Sequence, residues 1–218
     1  MIPVIIIHQG YSSYLNYTIT KASELNFVYY IGDVNPNINV SNYEFININT
    51  VSEGTNQFRS VYEHLNTTPY EYELFCYNRW FILKNFMLQR KLDVVFYIDS
   101  DVLIFVDVNK EWEKYNQYDM TLLHRTAAIS SFITMNGIEN FCRLINKIYS
   151  NKNDYPFMKI KSHFEVRQRC GLPGGVCDMT LLDYFHYSGS DGGGPGRIGE
   201  MMQIIGESTY DHNINDKD

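Results

Sequence analysis

The segment Val94-Val95-Phe96-Tyr97-Ile98-Asp99-Ser100-Asp101 constrains this chain more than any other. A run of apolar residues that are all β-branched or aromatic makes a strand with both faces in need of cover. Such a strand belongs inside an α/β sheet, with helices packed on either side. Its carboxyl end carries two acids one residue apart. In extended backbone, residues i and i+2 point the same way, with Cα atoms roughly 6.6 Å apart. The spacing predicts that Asp99 and Asp101 face one direction at the strand end, where open α/β sheets bind ligands. Two carboxylates so close repel each other unless a cation or a shared proton intervenes. The pair is then a divalent-metal clamp or a nucleophile beside a general acid. Surface acids that bind nothing are the bland alternative.

The flanking sequence supplies the covering layers. Val4–His8 reads as a strand, Ser12–Leu25 as a helix, Phe27–Ile31 as a second strand ending in Gly32-Asp33, and Tyr43–Ile48 as a third. Phe58, Val61, Tyr62 and Leu65 recur at i, i+3, i+4 and i+7, which predicts an amphipathic helix. Thr68-Pro69-Tyr70-Glu71 reads as a capping box with proline at the first helical position. Cys76, Trp80, Leu83 and Met87 then form an apolar stripe that runs toward Arg90. After the acidic strand come a short helix near Asn109–Tyr115 and strands at Met120–His124 and Ala127–Thr134. A helix capped by Asn136, with Glu139 three residues on, carries Phe141, Leu144, Ile145 and Ile148. From Asp154 the pattern becomes irregular, with a loop at Gly171–Gly175, a short helix at Asp178–Phe185 and a glycine-rich mobile loop at Ser188–Gly199. Alternating β and α elements predict an α/β sandwich with a mainly parallel sheet.

Composition narrows the class. The 218 residues are 44% hydrophobic and 15% aromatic, as expected of one folded domain rather than a disordered chain. Eighteen basic against 25 acidic residues give a net charge of −7, with no Lys/Arg cluster, which excludes a nucleic-acid footprint. A phosphorylated ligand would bind through a metal and a few placed donors. The run Ile2–Ile7 has no basic stretch before it and stops at His8-Gln9-Gly10, so it reads as a core strand rather than a signal peptide. No stretch approaches the roughly 18 apolar residues of a membrane span. Cys76, Cys142, Cys170 and Cys177 show no CxxC spacing, and reduced thiols in a cytoplasmic protein are the expectation.

Taken in order, these residues resemble the metal-dependent glycosyltransferases of the GT-A fold, whose DxD motif follows such a strand. The likeness covers most of the chain. It begins with the first β-α-β unit and the arginine-bearing helix at Asn78-Arg79-Trp80-Phe81. It continues through Asp99-Ser100-Asp101 and the strand Ala128–Ile133, similar to an acceptor-side strand. It ends at Gly174-Gly175-Val176-Cys177-Asp178, a glycine loop leading into an acidic helix start as in glycosyltransferase family 8.

The resemblance implies one catalytic domain over 1–218, with a donor-binding half at about 1–107 and an acceptor-side half at about 108–218. It implies a hexosyltransferase of polysaccharide biosynthesis that takes a nucleoside-diphosphate-sugar, UDP-sugar first, to a hydroxyl of a glycan or lipid-linked acceptor. Peripheral membrane association stays open, and the family 8 likeness leans toward retention of configuration. Mn²⁺ or Mg²⁺ would sit on Asp99 and Asp101. His8, Gln9, Gly10, Tyr11, Asp33, Arg79 and Ser100 would hold the nucleotide and diphosphate, and Asp178 would serve the reacting sugar.

GT-A enzymes often add a late histidine to the metal, for which His212 is the candidate. The polar ending Asn213–Asp218 raises the expectation that the chain is cut short. Each residue also has a plain reading: Asp178 as a helix N-cap, Arg79 and Lys84 as ordinary helix cations, Asp33 as a turn former. Gly194–Gly199 matches GxGxxG without the strand and helix that motif requires. A lid over the donor or a plain flexible loop fits it better.

A haloacid-dehalogenase-type phosphatase also has DxD after a buried strand, with the first Asp (here Asp99) as nucleophile. Lys159 or Lys161 and the pair Asp178/Asp183 could imitate its later motifs. Its acids normally follow the first strand of the domain, whereas here two or three strands precede them, which favours glycosyl transfer. A sugar-nucleotide-binding pseudoenzyme is the non-catalytic alternative.

Overall fold

The computed structural model describes residues 1–123, 128–187 and 197–201. The elements run β1 (Val4–His8), α1 (Tyr14–Ser23), β2 (Val28–Gly32), β3 (Tyr43–Asn47), α2 (Thr55–Val61), α3 (Tyr70–Arg90) and β4 (Val94–Ile98). They continue as α4 (Val108–Trp112), β5 (Met120–Leu122), β6 (Ser130–Thr134), α5 (Met135–Ser150), α6 (Tyr155–Arg169), α7 (Asp178–Tyr187) and β7 (Ile198–Glu200). The strands form one mixed sheet in the order β3-β2-β1-β4-β6-β5-β7. The β3-β2-β1-β4 block is parallel, β6 is antiparallel to both β4 and β5, and β7 pairs parallel with β5. This is an α/β architecture with a mostly parallel sheet, compatible with a Rossmann-like fold.

Strand alternation splits the core in two. Ile5, Ile7, Val95 and Tyr97 point to the side packed by α2, α3, α5, α6 and α7. Val4, Ile6, Phe96 and Ile98 point to the side packed by α1 and α4. All eight are nearly inaccessible to solvent, as the uninterrupted apolar runs require. The chain builds β1, β2 and β3 outward in one direction, then returns through α3 to lay β4 on the opposite flank of β1. The crevice at the carboxyl ends of β1 and β4 is therefore the switch point at which open sheets take ligands.

Several local expectations need correction. α2 ends at Val61, and Tyr62 is extended, although Phe58, Tyr62 and Leu65 are all buried. Tyr62 leaves the helix to pack its ring against Tyr70, Tyr77 and Tyr149. No capping box forms at α3. Pro69 is the N-cap itself, Glu71 pairs with Arg59, and the Thr68 hydroxyl donates to Glu73 Oε2 instead. Thr134, not Asn136, caps α5, its Oγ1 accepting from Gly137 N at 3.1 Å.

After Asp154, residues Tyr155–Arg169 are helical rather than irregular, whereas the loop at 171–175 and the helix from Asp178 lie where expected. In α6 only Phe157, Ile160 and Phe164 are buried, at i, i+3 and i+7 among charged neighbours. Part of the predicted Ser188–Gly199 loop is strand, because Ile198 and Gly199 pair with Met120 and Thr121. Residues 188–196, and with them the first half of the GxGxxG match, lie outside the described residues. The four cysteines are free. Among the described residues, no helix is long and apolar enough to cross a membrane.

Candidate functional site

β4 stops at Ile98 and the chain turns at once. Val102 N donates to Asp99 O at 3.1 Å, and Asp99 N is tied to Ile129 O at 2.9 Å. Asp99 keeps the parity of Val95 and Tyr97 and so points to the α3 side. Ser100 takes the parity of Ile98 and points to the α1 side, its hydroxyl 3.0 Å from His8 Nδ1. Thr18 of α1 donates to the Ser100 carbonyl at 2.8 Å. Beyond Ser100 the turn abolishes the extended geometry, so Asp99 and Asp101 do not share one environment. Asp99 is partly buried and Asp101 is exposed. Asp101 acts electrostatically on both His8 and Asp99.

On the α3 side, Arg79 forms the centre of the site. Its Nη1 donates to Asp99 Oδ1 at 2.9 Å and to the Tyr97 hydroxyl at 3.1 Å. Its Nε and Nη2 donate to Asp178 Oδ2 at 3.2 and 2.6 Å. Tyr97 donates to Asp99 Oδ1 at 2.8 Å, and Trp80 Nε1 donates to Asp178 Oδ2 at 3.0 Å. Burial disfavours the charge on Arg79, but Asp178, Tyr97 and Asp99 outweigh it and hold the guanidinium protonated. Burial raises the Asp99 carboxyl above its ordinary range, with Arg79 and Tyr97 opposing the shift.

The glycine loop delivers Asp178. A Cβ on Gly175 would stand 2.2 Å from the Leu65 carbonyl oxygen, so only glycine lets this loop lie so close. Val176 N then donates to the same carbonyl at 2.7 Å. Two residues later Asp178 opens α7, with its side chain 4% exposed. Its oxygens have separate tasks. Oδ1 accepts from Met179 N at 3.0 Å, and Oδ2 takes Arg79 and Trp80. Helix-start and site roles therefore coexist in one carboxylate.

Arg79, Asp99 and Asp178 share a cleft of about 580 Å³ with Glu73, Cys76 and Cys177. His163 and Arg167 of α6 reach its rim. Sequence reasoning missed these last five residues. For α6, the i, i+3, i+7 apolar triplet was the available signal. For Glu73 and Cys76 it was their position on the turns of α3 that lead to Arg79.

The remaining predicted residues lie around the ends of β1 and β2. Gly10 adopts φ +83°, and its N–H donates to Asp33 Oδ1 at 2.7 Å, which joins the turns after β1 and β2. Tyr11 is exposed, and Gln9 lines a separate hollow of about 590 Å³ with Asn49, Thr50 and Asn78. Burial lowers the His8 pKa, against the raising influence of Asp33 and Asp101. His212 lies outside the described residues.

For a hard divalent ion the donors at the turn are suitable: the second oxygen of Asp99 and the exposed carboxylate of Asp101. They supply two ligands, and among the described residues no third acid, cysteine or histidine joins them in a three-ligand set. No family model, curated protein or solved structure matches the chain.

Proposed function

We propose that the chain is a GT-A-type glycosyltransferase acting on a nucleoside-diphosphate-sugar, with a hydroxyl of a glycan or lipid-linked molecule as acceptor. The observation that carries this reading is the Arg79 guanidinium spanning Asp99 and Asp178 at the mouth of the β1/β4 crevice. That arrangement couples the DxD acid to the acid after the glycine loop through a cation with phosphate-compatible geometry. His8, Gly10, Asp33 and Ser100 line the adjoining strand ends, where nucleotide contacts belong in such a sheet.

In this reading Asp99 and Asp101 hold Mn²⁺ or Mg²⁺, which when bound neutralises charge growing on the departing diphosphate. Arg79 orients Asp99, and its one N–H not engaged by Asp99, Tyr97 or Asp178 is left for the same anion. Asp178, fixed by Arg79 and Trp80, stays an acceptor for a sugar hydroxyl. The Asp33 oxygen not engaged by Gly10 accepts from a ribose or base donor.

The phosphatase alternative requires Asp99 as a free nucleophile. One of its oxygens is instead held by Arg79 and Tyr97.

The test is a thermal-shift screen of nucleotide-sugars with and without Mn²⁺, followed by donor turnover. A donor should stabilise the protein only with metal. Asp99→Asn should abolish that stabilisation and the transfer while leaving the far-ultraviolet circular dichroism unchanged. Full activity of Asp99→Asn in EDTA, or aspartyl-phosphate formation from p-nitrophenyl phosphate, overturns the proposal.

A further inference from the structure

Glu73 is buried at 2% exposure, and half of its carboxylate has no partner. Oε2 accepts from Thr68 Oγ1 at 2.8 Å and Asn66 Nδ2 at 3.1 Å. Oε1 is buried and, among the described residues, has no hydrogen-bond partner. A buried acceptor without a donor is destabilising, and more so when the group is charged. Glu73 Oε1 has no such donor, yet it belongs to a group that could supply something else. Glu73, Cys177 and Asp178 each present a ligand atom, and these atoms all lie within 4.8 Å of one another.

The three come from different parts of the chain. Glu73 rises from the first turn of α3, while Cys177 and Asp178 arrive from the glycine loop at the start of α7. Asn66 donates to both Glu73 Oε2 and the Val176 carbonyl, which joins the two segments directly behind the cluster. Among the described residues, Asp178 Oδ1 accepts from Met179 N alone, which leaves it a lone pair. Cys76, one turn beyond Glu73, lines the same cleft.

We propose that Glu73, Cys177 and Asp178 form a binding site for a thiophilic divalent cation, Zn²⁺ in chemical class, at the floor of the cleft. A mixed thiolate and carboxylate set favours Zn²⁺ over Mg²⁺ or Mn²⁺, which prefer oxygen donors alone. Three protein ligands leave a fourth position facing the cleft. The hydrogen bonds from Thr68 and Asn66 orient Glu73 as outer-shell partners do in metal sites. Closing the ligand atoms onto an ion requires only side-chain rotation, because their backbones are already fixed by α3 and the Leu65–Val176 contact. Binding displaces the Cys177 thiol proton to solvent, so that a sulfur–metal bond forms without any change of oxidation state. This site is separate from the oxygen-only pair Asp99/Asp101; it shares Asp178 with the transferase reading but rests on none of that reading's chemistry.

The test uses the full chain with its thiols kept reduced, stripped by chelator and titrated with Co²⁺ and then Zn²⁺. One equivalent of Co²⁺ should give a thiolate-to-metal charge-transfer band in the near ultraviolet, which Zn²⁺ bleaches. Cys177→Ser should remove the band, whereas Cys170→Ser and Asp101→Asn should retain it. Asp101→Asn thus separates this site from the one at the DxD turn. Glu73→Gln, which keeps the side chain's shape, should weaken Zn²⁺ more than about 100-fold, beyond the roughly 10–100-fold of an outer-shell loss. A protein that gives no thiolate band, or one whose band survives Cys177→Ser, overturns the proposal. If Cys177→Ser fails to fold, a Zn²⁺ affinity unchanged in Glu73→Gln does the same.

Discussion

The two acids of the Asp99-Ser100-Asp101 turn belong to regions that treat charge in opposite ways. On the α3 side, Asp99 enters a crowded set of carboxylates and thiols around one guanidinium. Past the turn, Asp101 stands exposed, within electrostatic reach of His8, on which Asp33 also acts. In the first region charge is held in place by protein partners. In the second, carboxylates are left accessible to whatever cation or ligand arrives. A metal or diphosphate at the crevice would meet a rigid wall on one flank and adaptable acids on the other. A charge change on the crowded side should therefore alter stability. The same change on the open side should alter binding alone.

The largest expected effect tests that contrast directly. Arg79→Met removes the cation between Asp99 and the buried Asp178, and breaking such a pair from one side costs about 3–5 kcal/mol. Asp101→Asn, on the open flank, should stay within about 0.5 kcal/mol of the parent. Urea unfolding of both variants measures the difference. Equal stabilities would erase the distinction between the two regions.

Alkaline pH probes the crowded side without mutation. Burial, then Asp178, push the Cys76 thiol up to about 12 from 9.0. Above pH 9 the unfolded chain gives up this proton while the folded chain keeps it, so stability falls as pH rises toward the folded value. Allowing for its partial exposure, the loss from this thiol is about 1 kcal/mol per pH unit. Cys76→Ala should flatten the fall in melting temperature between pH 9 and 11. An unchanged slope would show that Cys76 is not desolvated.

The smallest effect lies on the open flank. Burial lowers the His8 pKa below 6.5, with Asp33 and Asp101 opposing. Just below pH 6.5 the unfolded chain binds more protons than the folded one, so stability declines slightly as the pH drops. His8→Gln should remove this shallow slope. A slope of opposite sign would mean that the neighbouring acids, not burial, govern His8.

Much of this arrangement was legible in the sequence. The apolar runs at Val4–Ile7 and Val94–Ile98 require cover on both faces, and both are central strands. The i, i+3, i+4 spacing of Phe141, Leu144, Ile145 and Ile148 locates α5, and the glycine loop locates the start of α7. Boundaries were less accessible, because partners distant in sequence decide them. Tyr62 leaves its helix for an aromatic cluster, and Thr68 turns from the backbone to Glu73. α6 was obscured because a helix lying on the surface exposes most of its residues, leaving three apolar positions as its signature.

The candidate site divides in the same way. Asp99, Arg79 and Asp178 could each be singled out by residue type and local context, and all three meet in one cleft. Their pairing could not be anticipated, since it joins residues 20 and 99 positions apart. Nor could the parting of Asp99 from Asp101, which follows from a turn held by Ile129 on a neighbouring segment.

The sequence alone thus determined the layers and the strand that ends in acids, because hydrophobic period and apolar run length are local properties. Only the tertiary structure decided which acid is confined, which is open, and that Glu73 and Cys177 join Asp178. Those outcomes depend on desolvation and on contacts between distant segments, and no local pattern encodes either.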